Sequence, residues 1–188
     1  SNNITILIND GVGNYQAAGN FAVGTSPTSV SASDLDGDGD KDLAVTNGFN
    51  DNVSILKNNG NGTFQSAVNY GVGNVPYSIF ASDFDYDLDI DLAVANASSN
   101  NISILKNNGD GTFLPKVDFP AGEVPFSVFA SDFDGDGFED LAVATTGNFD
   151  TDSVSILLNN GNATFQMPVR YIVGQGNCSV FAADFDED

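Results

Sequence analysis

Short apolar runs broken by polar turns set the rhythm of this chain. The runs are four or five residues long, rich in Val, Ile and Phe, and apolar residues nowhere recur at helical spacing. Four kinds of run follow one another in a fixed order. The first is Ser29-Val-Ser-Ala32, Ser78-Ile-Phe-Ala81, Ser127-Val-Phe-Ala130 and Ser179-Val-Phe-Ala182. The second is Asp42-Leu-Ala-Val45, Asp91-Leu-Ala-Val94 and Asp140-Leu-Ala-Val143. The third is Asn52-Val-Ser-Ile-Leu56, Asn101-Ile-Ser-Ile-Leu105 and Ser153-Val-Ser-Ile-Leu157. A turn rich in Asn and Gly comes next, and a fourth run begins at Phe64, Phe113 or Phe165. Asn-Gly turns favour hairpins because both residues tolerate positive φ.

The segment between the first and second runs recurs at intervals of 49, 49 and 52 residues. Such a period points to modular blades. The expectation is an all-β chain of β-propeller type: four-stranded antiparallel blades, about four units, incomplete at both ends. It forms a single repeat array over 1–188, with a partial unit at 1–25, units at 26–74, 75–123 and 124–175, and a partial unit at 176–188. The small residues of Asp-Leu-Ala-Val suit an inner strand near a crowded axis, and the Phe after each turn is expected between neighbouring blades. Asn3-Ile-Thr-Ile-Leu7 aligns with Asn52-Val-Ser-Ile-Leu56, so the chain opens at a third strand and stops inside an acidic loop. It reads as part of a longer array, or as a piece whose ends another copy completes; a closed four-blade ring would lack one inner strand.

The recurring segment is acidic. It reads Asp34-Leu-Asp36-Gly-Asp38-Gly-Asp40-Lys-Asp42, then Asp83-Phe-Asp85-Tyr-Asp87-Leu-Asp89-Ile-Asp91, then Asp132-Phe-Asp134-Gly-Asp136-Gly-Phe138-Glu-Asp140, and finally the short Asp184-Phe-Asp186-Glu-Asp188. The net charge is −21, and fifteen of the 26 acidic residues occupy the first, third, fifth and ninth loop positions. Carboxylates at alternate positions repel unless a hard cation sits among them, and a flexible all-oxygen set favours Ca2+ over Mg2+. No helix pattern flanks the loops and no Glu closes them, which excludes an EF-hand. The expected role is structural: the ion ties the first strand to the second, so that binding energy becomes folding energy.

Taken together, Asp-Phe-Asp-Gly-Asp-Gly, Asp-Leu-Ala-Val, Val-Ser-Ile-Leu and Asn-Asn-Gly-x-Gly-Thr-Phe resemble the FG-GAP/VCBS repeat family, whose best-known relatives are the integrin α-chain propellers. The resemblance covers essentially the whole chain. It implies metal held by side chains at loop positions 1, 3, 5 and 9 and by the carbonyl at position 7. Site one is then Asp34, Asp36, Asp38, Asp42 and the Asp40 carbonyl. Site two is Asp83, Asp85, Asp87, Asp91 and the Asp89 carbonyl; site three is Asp132, Asp134, Asp136, Asp140 and the Phe138 carbonyl. Asp184, Asp186 and Asp188 form a partial fourth. The side chains of Asp40 and Asp89 are expected in solvent. Site two has Tyr86 and Leu88 where sites one and three have glycines, and is expected to be strained or weaker.

The remaining chemistry is sparse. There is no His, and Lys plus Arg number five, so nucleophile–base pairs and His-metal sites are absent and phosphate backbones find no partner. The chain reads as neither an enzyme nor a nucleic-acid binder. Cys178, the only cysteine, reads as a small buried hydrophobe. No apolar run spans a bilayer, and Ser1 opens directly into repeat sequence with no signal peptide, which reads as a chain from which whatever came before has been removed. Candidate N-glycosylation sequons stand at Asn3, Asn52, Asn61, Asn96, Asn101, Asn162 and Asn177, although Asn also serves turns and strand edges. The family resemblance implies a calcium-stabilised extracellular or cell-surface module that binds protein or glycan through loops on one propeller face. The alternative is a structural unit of a fibre, sheath or surface layer whose partners are further copies of itself.

Overall fold

The computed structural model describes residues 2–147, 152–176 and 179–183. Every regular element among them is a strand. A hairpin, β1 (Asn3–Asn9) and β2 (Tyr15–Ala22), precedes three four-stranded antiparallel sheets in consecutive order. The first blade holds β3 (Pro27–Ser33), β4 (Asp42–Asn47), β5 (Asn52–Leu56) and β6 (Val68–Gly71). The second holds β7 (Pro76–Ser82), β8 (Asp91–Asn96), β9 (Asn101–Leu105) and β10 (Val117–Pro120). The third holds β11 (Pro125–Ser131), β12 (Asp140–Thr145), β13 (Ser153–Leu157) and β14 (Val169–Ile172). The all-β expectation of four-stranded blades is met, and among the described residues no strand of the third blade pairs with β1 or β2.

The second strand of each blade is apolar on both faces because both faces are covered. Every residue of β4, β8 and β12 is buried. Leu43 and Val45 face the hairpin side, packing with Ile4, Ile6 and Phe21. Ala44 faces the other way, with Val53, Ile55 and the second blade's Leu92, Leu105 and Phe113. Alternate residues thus serve two cores, which removes the polar half of a usual strand pattern.

Three expectations change. The innermost strands are β3, β7 and β11, not the Asp-Leu-Ala-Val strands. Thr28 donates its hydroxyl to the Pro76 carbonyl at 2.8 Å, and the rings of Tyr77 and Phe126, and of Phe80 and Phe129, meet edge to face at 4.8 and 5.2 Å. Phe64, Phe113 and Phe165 form only isolated bridges to Asn58, Asn107 and Asn159, and the fourth strands start four residues later. Pro115 and Pro168 in the intervening segments lack the N–H a ladder needs. Finally, residues 179–182 are not a strand. Among the described residues no second strand lies beside them to supply ladder bonds. They nonetheless adjoin β11: the Val180 N–H reaches the Ser127 hydroxyl at 3.2 Å and Phe181 meets Phe129 at 4.9 Å.

The Phe after each turn does pack between blades. Phe64 meets Phe21 of the hairpin, Phe113 meets Tyr70 of the first blade, and Phe165 meets Phe119 and Phe84 of the second, all edge to face at 5.1 to 5.9 Å. Leu35 and Phe84, the second residues of their acidic loops, are almost fully buried in the next blade's core. Each of these two acidic loops is therefore locked to the following blade by its own side chain.

Candidate metal centres

The three complete acidic loops share one geometry. The first carboxylate takes two N–H groups from its own loop: Gly37 and Gly39 donate to Asp34 at 2.8 and 2.9 Å, Tyr86 and Leu88 to Asp83 at 2.7 and 2.9 Å, Gly135 and Gly137 to Asp132 at 2.7 and 2.9 Å. That closure demands positive φ at positions 4 and 6. The glycines supply it without cost; Tyr86 and Leu88 are held there at φ of 63° and 77°, a conformation that strains an L-residue. The strain expected of loop two is present. Tyr86 also packs edge to face on Phe138 of loop three at 4.9 Å.

The ninth carboxylate has a role that its spacing does not reveal. Asp42, Asp91 and Asp140 are fully buried. Asp91 accepts the Phe84 N–H at 3.2 Å and the Asn107 N–H at 2.8 Å, and Asp42 and Asp140 make the equivalent pair. Each bridges the loop's start to the turn after the third strand. Burial pushes Asp91 up to about 7, with neighbouring Asp85 and Asp87 adding to the rise, and moves Asp42 and Asp140 in the same direction. A cation among these groups would reverse that shift.

Carboxylate oxygens converge at three places. Asp34, Asp36 and Asp42 bring one oxygen each within 4.8 Å of one another, as do Asp83, Asp85 and Asp91, and Asp132, Asp134 and Asp136. Asp38 and Asp87 stay outside their groups, each accepting the N–H two residues on, and Asp140 stays outside the third. The side chains of Asp40 and Asp89 are half-buried and fold over the glycine turn of their own blade, so that a Cβ on Gly60 or Gly109 would lie 2.6 Å from the carboxylate. They do not point into solvent. Phe138 sits over Gly161 in the same way. Asp184, Asp186 and Asp188 lie outside the described residues, as do Cys178 and Asn177.

The residues present fit a divalent cation on one physical ground. Asp36 Oδ1 and Asp85 Oδ1 are buried carboxylate oxygens without a hydrogen-bond donor, a costly state unless a cation lies beside them. Lys57 and Lys106 pair with the other oxygen of these same residues. Leu158 stands at the equivalent place in the third blade, where Asp134 is exposed.

Turn asparagines join the centres to their neighbours, and the sequence had marked them only as turn formers. Asn107 Nδ2 donates to the Ile90 carbonyl of its own loop at 3.0 Å and to the Leu35 carbonyl of the preceding loop at 2.8 Å. Asn159 does the same with Glu139 and Phe84 at 3.0 and 2.9 Å. Their recurrence at one register was the available signal. As for the sequons, Asn61 and Asn162 are exposed, while Asn3, Asn52 and Asn101 are half-buried. Asn96 has no exposed surface and donates to Val94, Asn101 and Ser103, which leaves no room for a glycan on the folded chain.

Comparison with known proteins agrees with this construction. Residues 34–94, 83–143 and 132–188 each match the FG-GAP-like repeat. No curated protein matches the chain. Among solved structures, an Agrocybe aegerita lectin that recognises non-reducing terminal N-acetylglucosamine is 22% identical with a TM-score of 0.55, over 90% of this chain and 46% of the lectin chain. The Tc holotoxin pore of Photorhabdus luminescens is 19% identical with a TM-score of 0.47, over 93% of this chain and 9% of that one. This chain thus spans about half the length of the lectin and far less of the toxin. Three tandem matches cover residues 34–188, and the chain belongs to the FG-GAP-like repeat family.

Proposed function

We propose that the chain is a calcium-stabilised extracellular recognition module in which the metal is structural and a protein or glycan ligand meets the loops at the far end of the blades. One observation carries the calcium reading: the donorless Asp36 and Asp85 oxygens are buried beside two other carboxylates, at seams where the next blade closes over the loop. When bound, calcium neutralises the loop carboxylates and so fixes the junction of first and second strands. Asp34, Asp36, Asp38 and Asp42, Asp83, Asp85, Asp87 and Asp91, and Asp132, Asp134, Asp136 and Asp140 would hold it, with the carbonyls of Asp40, Asp89 and Phe138. We assign no catalysis.

The recognition face is the end opposite the acidic loops, where residues 48–51 and 97–100 turn between second and third strands. Asp51 and Asn100 accept the N–H of Val75 and Val124 at 2.8 Å, which fixes that end of two blades. Phe49 stands 76% exposed on it. Fold similarity to a lectin supports a glycan ligand only by analogy. Binding of a glycan array and a protein panel in calcium, lost in Phe49→Ala, is the expected result. Silence on both panels would overturn the recognition reading.

A further inference from the structure

Of the five Lys and Arg residues in the chain, two stand at one place in successive blades: Lys57 and Lys106, each the residue after its blade's third strand. Lys57 Nζ lies 3.3 Å from Asp36 Oδ2, and Lys106 Nζ pairs with Asp85 Oδ2. Both carboxylates occupy the third position of their acidic loops and belong to the converging groups. Lys57 is also held on its far side, since it donates to the Asp110 carbonyl in the next blade's turn. The fit there is close: a Cβ on Gly111 would lie 2.7 Å from Lys57 Cε and 3.2 Å from Asp36 Cβ.

Each lysine answers a need that the rest of its loop does not meet. The other members of the two groups carry their own compensation: Asp34, Asp42, Asp83 and Asp91 each accept two backbone N–H groups. Asp36 and Asp85 accept none, and their Oδ1 atoms are buried without a donor. The Asp85 side chain is only 8% exposed. The third blade has Leu158 in place of the lysine, beside Asp134. There Asp134 Oδ1 accepts the Asp136 N–H of its own loop at 3.2 Å. Where the lysine is present, the carboxylate is held by one oxygen and leaves the other free within its group.

We propose that Lys57 and Lys106 are resident counter-charges that oppose calcium: they stabilise acidic loops one and two when metal is absent, and lower the affinity of those loops for it. This rests on the calcium reading and adds what regulates it. An ammonium and a calcium ion drawn to one carboxylate repel each other. The linkage is reciprocal, so the factor by which the lysine weakens calcium is the factor by which calcium weakens the lysine's hold. Each lysine thereby sets the calcium concentration at which its own blade gains from the ion. A lysine that merely oriented its carboxylate toward the metal would act in the opposite sense, raising affinity as outer partners of metal ligands do.

The test is titration calorimetry of calcium into the metal-free 188-residue chain, with thermal melts in EDTA beside it. Lys57→Met and Lys106→Met keep the apolar stem and remove the charge. Each is expected to tighten calcium binding at its own loop about tenfold, within the range usual for coupled sites. Each is also expected to lower Tm in EDTA by about 5 °C, because a buried carboxylate loses its partner. Leu158→Lys adds the charge and removes no partner of a carboxylate, and is expected to weaken calcium binding at loop three by a similar factor. Tighter binding joined to a less stable metal-free state is a pairing that a merely structural lysine does not produce. Unchanged or weaker calcium binding by either methionine variant would overturn the proposal. So would a melt in EDTA that does not fall, or a Leu158→Lys chain that binds calcium like the parent. A parent chain that takes up no calcium would overturn the calcium reading and this inference with it; a parent that binds, with variants that match it, would overturn this inference alone.

Discussion

Gly37 and Gly39 of the first acidic loop hold φ of 75° and 92°, and Tyr86 and Leu88 hold 63° and 77° at the same places in the second. Two loops with opposite local preferences adopt one shape. Left-handed backbone costs a non-glycine residue roughly 1–2 kcal/mol, so something other than the spacers' local preference determines loop two. The structure names three contributors: two N–H groups on Asp83, Tyr86 packed on Phe138, and Phe84 buried in the third blade. Conformation here follows from what the carboxylates and the neighbouring blade require. The same comparison shows what loop three lacks. Among the described residues no following blade covers Phe133, and all three members of its carboxylate group are exposed.

Removing metal should erase the comparison most completely. A site saturated a hundredfold contributes about 2.7 kcal/mol by mass action, so three would contribute about 8 kcal/mol, a large share of a domain's stability. Calorimetry with EDTA against calcium is expected to lower Tm by about 15–30 °C. An unchanged melt would remove calcium from the account. Titration calorimetry on the metal-free chain is expected to show site two as the weakest of the three complete sites.

Next in size is the division of labour among carboxylates. Asp91→Ala leaves the buried N–H groups of Phe84 and Asn107 without acceptors, at about 1–3 kcal/mol each. The loss is expected with or without calcium, because bracing does not need the ion. Asp87→Ala touches an exposed residue whose carboxylate accepts the N–H of Asp89 within its own loop, and is expected to matter in calcium alone. Chemical denaturation of both variants in calcium and in EDTA separates the two roles. Equal behaviour of Asp91→Ala and Asp87→Ala would show that bracing by the ninth position is negligible.

Much of this was legible in the chain. Runs such as Asn52-Val-Ser-Ile-Leu56 placed third strands to the residue, and the acidic spacing placed the loops. The illegible part depends on contacts between residues more than seventy positions apart, such as Asn107 with Leu35. The bracing role of Asp42 could not be read, because spacing alone makes it one more ligand. The fourth strands were misplaced because Phe113 and Phe165 look like strand starters. Their rings serve the preceding blade instead, and a proline two or three residues later delays the ladder. The inner strand was misassigned for a related reason: small residues suit a crowded axis, but they equally suit a strand pressed between two cores.

The smallest expected effect tests the comparison at its origin. Gly39→Ala in loop one and Leu88→Gly in loop two exchange the spacers' character at one position. No atom lies within 4 Å of a Cβ on Gly39, so its substitution isolates the backbone term, a loss of about 1 kcal/mol. Leu88 is 88% exposed, so its removal forfeits almost no burial and relieves comparable strain. Against that gain stands the greater chain entropy glycine confers on the unfolded state, about 0.5–1 kcal/mol, which leaves a net stabilisation of a few tenths. Tyr86→Gly should not match it, because the Phe138 contact is worth about 0.5–1.5 kcal/mol and offsets the relief. Denaturant midpoints at fixed calcium therefore have a required order: Leu88→Gly highest, Tyr86→Gly near or below the parent, Gly39→Ala lowest. If Leu88→Gly falls below the parent instead, the strained backbone in loop two is not a cost the fold carries, and the two loops differ in ways their φ values do not express.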